Sequence, residues 1–467
     1  MNFKVTVPDN FFAERQYIAN VMLKEFLGLD YDIEQVADAK TVKISNNENT
    51  REITFPDVFF SMDESDWLKE RSLPKEPLKI INSSVFPGNP ILSSDRIPLI
   101  YGTNESEVSV SEEEISIPVD VFGSAFFMLT RYEEAVKNNR DTHDRFPASA
   151  SLAFKEHFLC RPIINEYVEI LWSSMRVLWP EIERKERKFE MVLSHDVDRP
   201  FKYRNMLPAT FLKIVAADLI RRRSVRKAYE SVKSYIAVKM GEIDRDPFNT
   251  FDFIMDLSEK AGLKSCFYFI SDHSDNKINC DYSINDPEMI SLMKKIHSRG
   301  HEIGLHPGYD TSDNPEKLKN EFVKLRKICS ANGIKQEKWG SRQHYLRFSV
   351  PQTWRYLSEA GIDYDSSIGF ADHVGFRSGI CYDYPVYDVV QRKPLEIVEK
   401  PLVVMEKTVI DGNYMNTVSA DRTINLIKEL AGVTELFKGS FILLWHNSRL
   451  SEKKEIELYS RIIKNIF

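Results

Sequence analysis

The chain has 467 residues, of which 42% are hydrophobic, 12% aromatic and 28% charged, and its formal net charge is −7. This composition excludes an intrinsically disordered chain, because enough apolar side chains are present to build a sizeable core. The acidic balance gives no basis for nucleic-acid binding by the protein as a whole, and the length favours two or three domains.

The N-terminal part of the chain predicts a smaller mixed α/β domain. FKVTVP and REITFPDVFF have strand patterns, whereas ERQYIANVMLKEFLGL has apolar residues at helical spacing and Gly28 as its stop. DVFGSAFFMLTRYEEAVKN predicts one further helix, residues 138–151 a polar loop, and residues 163–178 another helix. We place the boundary in the charged run IERKERK, which gives an N-terminal domain of unknown role over 1–185 and a second domain over 186–467.

The second domain alternates strands with helices. Such alternation predicts βα units and a mostly parallel sheet or barrel. The predicted strands include FEMVLS, SCFYFIS, HEIGLH and SFILLWHN, and the helices include FNTFDFIMDLSEKAGL, DPEMISLMKKIHSRG, NPEKLKNEFVKLRKICSANGI and SADRTINLIKELAG.

One segment, at about residues 202–240, interrupts this alternation. It carries ten basic and only two acidic side chains, with apolar residues at helical spacing. We predict a basic helical insertion. It is either a solvated helix covering one side of the barrel or a surface for anionic lipid or a phosphorylated substrate.

We expect neither an export signal nor a membrane-spanning helix in this sequence. The N-terminus has no apolar segment behind a basic start, and no run of about 18 apolar residues occurs. The five cysteines are scattered without metal-knuckle spacing, which is typical of reduced thiols. We therefore expect a cytoplasmic location.

Titratable side chains follow four of the predicted strands. In parallel α/β proteins functional groups collect at the carboxyl ends of strands. Any one of these side chains has an ordinary structural explanation, such as a turn cap or a buried histidine bonded to backbone, but together they favour a metal hydrolase site. They are His195, Asp196 and Asp198 after the first strand, His306 after HEIGL, Arg342, His344 and Tyr345 after WGS, and His446 after FILLW.

A zinc hydrolase site needs three nitrogen or oxygen ligands and an open position for water. The metal lowers the pKa of that water toward ~7. A carboxylate beside it can act as base, and a histidine opposite can protonate the leaving group. The residue types after the strands match these needs.

Residues 189–448 resemble the polysaccharide deacetylase superfamily, the NodB-homology domain of family 4 carbohydrate esterases. The resemblance lies in SHDVD, GHEIGLHPGYD, RQHY and LLWHN, in that order along successive strands. It implies a distorted, incomplete (β/α) barrel, one divalent metal, usually zinc, and removal of acetyl groups from sugars.

The resemblance assigns metal ligands, and it leaves one of them open. Asp198 and His306 match two ligands of the family. The family's second histidine is replaced by Asp310, and its third motif has His344 where proline is usual. We expect His344 to replace the missing ligand, with Asp310 as the rival third ligand.

The same motifs assign catalytic roles. Asp196 would be the base, Arg342 would orient it or balance its charge, and the backbone N–H of Tyr345 could serve the oxyanion. His446 would be the general acid. The family uses an aspartate to tune that histidine, and two residues are candidates for it, Asp365 and Asp372.

The blocks FGSAFFMLTRYEE and RFPASASLAFKEHFLCRP resemble a branch that pairs an uncharacterised N-terminal domain with a deacetylase-like domain, in the setting of bacterial surface polysaccharides. The resemblance implies a metal-dependent hydrolase that removes acetyl groups from an amide- or ester-acetylated sugar. Two alternatives stay open. One is a non-catalytic carbohydrate-binding or assembly protein on a degenerate barrel, and the other is an amidase acting on a non-sugar amide.

Overall fold

The structure is a computed structural model that describes residues 2–46, 50–103, 108–272, 280–417 and 419–466. The strands of these ranges are β1 (Asn2–Pro8), β2 (Asp30–Val36), β3 (Thr41–Asn46), β4 (Glu52–Pro56), β5 (Lys79–Asn82), β6 (Arg96–Leu99), β7 (Ser109–Val110), β8 (Glu114–Ser116), β9 (Glu190–Val197), β10 (Ser265–Phe269), β11 (Glu302–Leu305), β12 (Gly340–Ser341), β13 (Tyr364–Asp365), β14 (Tyr384–Asp388), β15 (Lys393–Glu399), β16 (Val404–Met405) and β17 (Ser440–Leu444). The helices are α1 (Phe12–Ala19), α2 (Val121–Leu129), α3 (Tyr132–Val136), α4 (Leu152–Lys155), α5 (Ile163–Leu178), α6 (Pro208–Ile220), α7 (Val225–Lys239), α8 (Phe251–Lys260), α9 (Pro287–Ser298), α10 (Pro315–Ala331), α11 (Gln352–Ala360), α12 (Glu406–Ile410), α13 (Ala420–Leu436) and α14 (Lys453–Ile466).

The N-terminal residues form a six-stranded sheet with the order β2-β1-β3-β4-β8-β7. Strand β1 alternates buried and half-buried residues, which is the pattern of a strand with one covered face. Helix α1 continues as a π-helical segment to Leu27, and Gly28 ends it with a φ of 74°, as predicted. The single helix expected next is wrong, because Arg131 has a φ of 51° and separates α2 from α3.

The second sheet has nine strands in the order β14-β15-β13-β12-β11-β10-β9-β17-β16. Every pairing in it is parallel except that of β14 with β15, so the α/β class with a mostly parallel sheet is confirmed. Closure into an incomplete barrel stays a prediction. Strand β9 lies between β10 and β17 and runs to Val197, beyond its predicted end, so Asp196 lies inside the strand.

The hydrophobic core is continuous between the two sheets. Residues far apart in the sequence bond across it: the Tyr17 hydroxyl donates to the Pro385 carbonyl at 2.7 Å, and the Tyr387 hydroxyl donates to Glu14 at 2.9 Å. The division at residues 185 and 186 stays a prediction. In the described ranges, no helix has both the length and the apolar character that crossing a membrane requires.

The predicted basic insertion forms the helices α6 and α7. Their inner faces build a small core of their own, in which the rings of Phe211 and Tyr235 stack with centroids 3.8 Å apart. Tyr203 closes this core from the chain segment before α6. The insertion is therefore a folded helical hairpin.

Candidate metal centre and active site

Three side chains from separate elements of the second sheet meet at one point. One ligand atom each from Asp198, His306 and His344 lie within 4.8 Å of one another. Nε2 of His306 is 3.2 Å from Oδ1 of Asp198, and Nε2 of His344 is 3.5 Å from the same oxygen. The sequence-predicted ligand set is thus brought together in space.

The strand ends explain this meeting. Asp198 directly follows β9 and His306 directly follows β11, while His344 comes shortly after β12, which pairs with β11. Nδ1 of His306 donates to the backbone carbonyl of Arg342. That hydrogen bond fixes the tautomer and leaves Nε2 free to face Asp198, as in other histidines that bind metals.

The donor set fits a divalent cation such as Zn²⁺. Buried oxygens of Asp196 and Asp198 (Oδ1 of each) have no hydrogen-bond partner in the described part of the chain. Two imidazole nitrogens and a carboxylate are the ligands of a catalytic zinc site. The residues present therefore suit a divalent cation.

Electrostatics at the cluster favour a bound cation as well. Burial lowers the pKa of His344 to about 3, so its imidazole is neutral, the form that binds a metal. Burial raises the pKa of Asp198, but His344, His306 and nearby cations outweigh it and hold the pKa well below its usual range. Burial lowers the pKa of His306, but the neighbouring Asp196 and Asp198 outweigh it and raise the pKa above its ordinary value. A divalent cation would neutralise the same carboxylates.

The rival ligand lies outside this cluster. Asp310 is in a short 3-10 turn, Tyr309–Thr311, and its Oδ2 pairs with Nζ of Lys317 at 2.9 Å. The geometry favours His344 as the third ligand over Asp310.

The two neighbours Asp196 and His195 face opposite sides of the sheet, because side chains alternate along β9. Oδ2 of Asp196 is 3.8 Å from Nε2 of His306, which places this carboxylate beside the cluster. His195 points away: its Nδ1 is 2.7 Å from the Trp445 carbonyl, and burial lowers its pKa to about 3. His195 belongs to the core, and Asp196 belongs to the site.

The predicted acid, His446, lies on the other side of Asp198. Its Nε2 is 3.6 Å from Oδ2 of Asp198, and its Nδ1 is 2.5 Å from Oε1 of Glu406. Burial raises the pKa of Glu406, but His446 outweighs this and lowers it. Nε2 is therefore the imidazole nitrogen that faces the cluster.

Glu406 corrects the sequence prediction for the partner of His446. Asp365 accepts hydrogen bonds from Ser341 and Ser367, and Asp372 accepts from the Ala148 N–H. Within the described part of the chain, neither forms a hydrogen bond or ion pair with His446. The signal for Glu406 was present, since VVMEK is another apolar strand that ends in an acid. Sequence reasoning also missed the residue after Glu406. This is Lys407, whose Nζ is 3.9 Å from Oδ2 of Asp198.

Arg342 lies near the site with contacts other than those expected, whereas the oxyanion role of the Tyr345 N–H stays a prediction. The buried Arg342 guanidinium donates to the hydroxyls of Ser194 at 3.2 Å and Ser366 at 2.9 Å. Across the described ranges no ion pair joins it to Asp196, so direct orientation of the base is not seen. Tyr345 has a left-handed φ of 62°, and 41% of it is exposed beside His344.

The loop predicted over residues 138–151 comes from the N-terminal part of the chain and contacts Tyr309 and Tyr345, which we call the rim of the site. Nη1 of Arg145 donates to the Tyr345 carbonyl at 3.0 Å. Nδ1 of His143 is 3.1 Å from the Tyr309 hydroxyl, and its ring centroid is 4.8 Å from that of Tyr345. No local sequence pattern indicated this role, because the contact exists only in the folded chain.

Comparisons with known proteins give a family match and distant structural similarity. A family model described as a family of unknown function, DUF7033, matches residues 3–180. A search of curated proteins gives no match. Similar solved structures include a candidate polysaccharide deacetylase from Mycobacterium smegmatis, with 14% identity over 61% of this chain and 86% of its own and a TM-score of 0.37. A probable polysaccharide deacetylase from Pseudomonas aeruginosa PAO1 has 14% identity and a TM-score of 0.35, and the match covers 60% of this chain and 84% of that one. Puue allantoinase has 12% identity and a TM-score of 0.34, and the match covers 60% of this chain and 83% of that one. These values are too low to transfer an activity or a residue's role to this chain.

Proposed function

We propose that the protein is a metal-dependent hydrolase that removes acetyl groups from an amide- or ester-acetylated sugar. The observation that carries the proposal is the cluster of Asp198, His306 and His344, with Asp196 on one side and the pair of His446 and Glu406 on the other. This arrangement combines a cation site, a base and an acid within one cluster of side chains, which is what hydrolysis of an acyl bond requires.

Asp198, His306 and His344 would hold the cation, and Asp196 would serve as base. A divalent cation bound there would polarise the acyl carbonyl and lower the pKa of a water molecule. Oδ1 of Asp196 has no hydrogen-bond partner in the described ranges, so it can accept the proton of the attacking water. Its position next to His306 keeps that proton transfer within the cluster.

His446 would donate a proton to the departing amine or alcohol. Its Nδ1 is held by Glu406, so Nε2 is the atom that can exchange a proton with substrate. The Glu406 carboxylate stabilises the imidazolium form and fixes the ring orientation, as second-layer carboxylates do at other sites. Base and acid would then both act at the cluster, Asp196 beside His306 and His446 beside Asp198.

The rim supports a sugar as the substrate class. Tyr345 is exposed beside His344, and the rings of Tyr309 and His143 surround it. Aromatic faces at a polar mouth suit the C–H surfaces of a sugar ring. These rings therefore offer a surface against which the acetylated sugar, the substrate implied by the sequence resemblance, could pack.

Acetate release from acetylated sugars tests this function. The full chain, stripped of metal and reloaded with Zn²⁺, is incubated with N-acetylglucosamine oligomers and with O-acetylated xylan, and acetate is measured. We expect release that depends on metal. Asp196→Asn should reduce it by about 10²–10⁴-fold while zinc content stays unchanged. Release that is undiminished in Asp196→Asn would refute the assigned base, and a chain that binds no zinc would refute the proposal.

A further inference from the structure

The hairpin of α6 and α7 exposes an unusual amount of apolar surface. Of nineteen large hydrophobic residues that are exposed in the described ranges, eight belong to this hairpin and its immediate ends. The most exposed are Ile220 and Met240 at 78%, Val225 at 75% and Leu207 at 69%. Single exposed apolar residues are ordinary, but a concentration of them marks an interaction surface.

These residues form one stripe along each helix. On α7, Val225, Tyr229 and Ile236 recur at spacings of four and seven residues, which puts them on one face. On α6, Leu212, Leu219 and Ile220 share a face in the same way. Other side chains of the two helices, among them Phe211 and Tyr235, already build the hairpin's own core, so the exposed stripes are additional to what folding of the hairpin needs.

Basic side chains flank both stripes. Residues 202–240 carry ten basic and two acidic side chains in a chain of net charge −7. Some of these bases form ion pairs, such as Arg222 with Asp218 at 2.6 Å and Arg226 with Glu230 at 2.8 Å. Exposed bases at the turn and along the helices remain to meet an anionic surface; they are Lys213, Arg221, Arg223 and Lys233.

We propose that the α6–α7 hairpin binds the surface of a bilayer that contains anionic phospholipids. An exposed apolar stripe bordered by lysine and arginine matches a helix that lies in the headgroup region, with its apolar side chains below the phosphates. Each basic side chain near an anionic leaflet adds to the attraction. A second copy of this chain is a poorer occupant, because the two hairpins would bring like charges together.

The hairpin is joined to the chain beside the candidate site. It follows Asp198 along the sequence, and its return segment is fixed where the Thr250 hydroxyl donates to the Asn447 carbonyl at 2.9 Å. Nδ2 of Asn447 in turn donates to the Arg199 carbonyl at 3.1 Å. Docking of the hairpin would therefore tether the candidate site to a lipid surface, but the docking itself does not depend on the proposed hydrolysis.

Vesicle flotation tests the inference without any measurement of activity. The full chain is mixed with vesicles of phosphatidylcholine alone or of phosphatidylcholine with phosphatidylglycerol, at low and high salt. We expect flotation with the anionic vesicles that weakens with salt. Two double variants, Ile220→Ser with Val225→Ser and Arg221→Glu with Arg223→Glu, should each weaken binding by about tenfold or more.

Matched controls keep the test specific. Val323→Ser with Val390→Ser removes exposed valines elsewhere, and Arg422→Glu with Lys428→Glu makes the same charge change on α13; both should float like the unaltered chain. Absence of binding to the anionic vesicles, or equal binding by all variants, would overturn the inference. A dimer in sedimentation that Ile220→Ser with Val225→Ser dissolves would also overturn it, because a second copy would then cover the stripes.

Discussion

At the scale of single residues, the third metal ligand has a direct test. His344→Ala removes one of three ligand atoms that lie within 4.8 Å, so zinc affinity should fall by about 100-fold or more. Asp310→Ala should leave zinc affinity unchanged, because Asp310 pairs with Lys317 outside the cluster. Zinc content after dialysis, measured by mass spectrometry, distinguishes the two. If Asp310→Ala lost zinc and His344→Ala retained it, Asp310 would be the third ligand and His344 would not.

Glu406 is a positioning residue with an effect that can be separated from metal binding. Glu406→Gln keeps the size of the side chain but removes the charge that faces Nδ1 of His446 at 2.5 Å. We expect kcat for acetate release to fall by about 10–100-fold with unchanged zinc content and a shifted pH profile. Glu455→Gln, a nearby carboxylate that pairs with Arg449 instead, serves as the control. A fall in kcat with an unaltered pH profile would contradict the role.

The difference between Glu406 and the predicted residues shows what sequence can reveal. Asp196, Asp198, His306 and His446 could be predicted to meet, because each ends a recognisable strand and parallel strands end at one edge of a sheet. Glu406 follows a strand of only two residues, Val404–Met405, which is defined by its pairing with β17. The acid after the apolar run VVMEK was a usable signal, but a strand of two residues is too short to show the periodic pattern by which the longer strands were recognised.

At the scale of elements, the loop over residues 138–151 brings the N-terminal region to the site, through contacts of His143 and Arg145 with Tyr309 and Tyr345. Its contacts with the rim depend on how the two sheets pack, and a pattern of polar residues predicts only a loop. The sequence pattern predicts other elements correctly. Helix α5 is predicted over its observed range of Ile163–Leu178, because its apolar residues have helical spacing over several turns. A long helix with periodic apolar residues can therefore be predicted from the sequence, whereas the contacts that a loop makes in the folded protein cannot.

Arg145 in that loop offers a prediction about the rim. Arg145→Met removes the hydrogen bond to the Tyr345 carbonyl and frees a residue held at a φ of 62°. Because one such bond contributes on the order of 1–2 kcal/mol, we expect KM for the acetylated sugar to rise by about tenfold, with zinc content unchanged. Arg140→Met is the matched control, since Arg140 contacts mainly carbonyls of its own segment. An unchanged KM in Arg145→Met would separate the loop from substrate binding.

At the scale of the whole molecule, a buried ionic group joins the N-terminal part to the second sheet. Glu134 lies in α3, and its Oε1 accepts from Nε of Arg131 at 2.8 Å and from Nε of Arg377 at 2.9 Å. Burial raises the pKa of Glu134, but the two guanidinium groups outweigh it and lower the pKa to about 2. The packing of the two parts therefore depends on an ionised carboxylate inside the continuous core.

This carboxylate predicts how stability depends on pH. Because the folded pKa lies below the ordinary value of 4.5, the contribution is complete above about 4.5 and is lost as the pH falls toward about 2. Glu134→Gln should reduce the free energy of unfolding by about 3 kcal/mol at neutral pH. The difference between the two proteins should shrink as the pH is lowered, because the unaltered chain loses the same contribution. Urea unfolding at a series of pH values measures both curves.

A surface carboxylate provides the comparison for Glu134. Glu52 pairs with Lys43 at 2.7 Å, but both side chains are partly exposed, so Glu52→Gln should reduce the free energy of unfolding by less than about 1 kcal/mol. If Glu134→Gln were equally mild, the buried ion pair would not stabilise the contact between the two parts. A difference that stayed constant with pH would equally contradict the lowered pKa, since linkage requires the two unfolding curves to converge in acid.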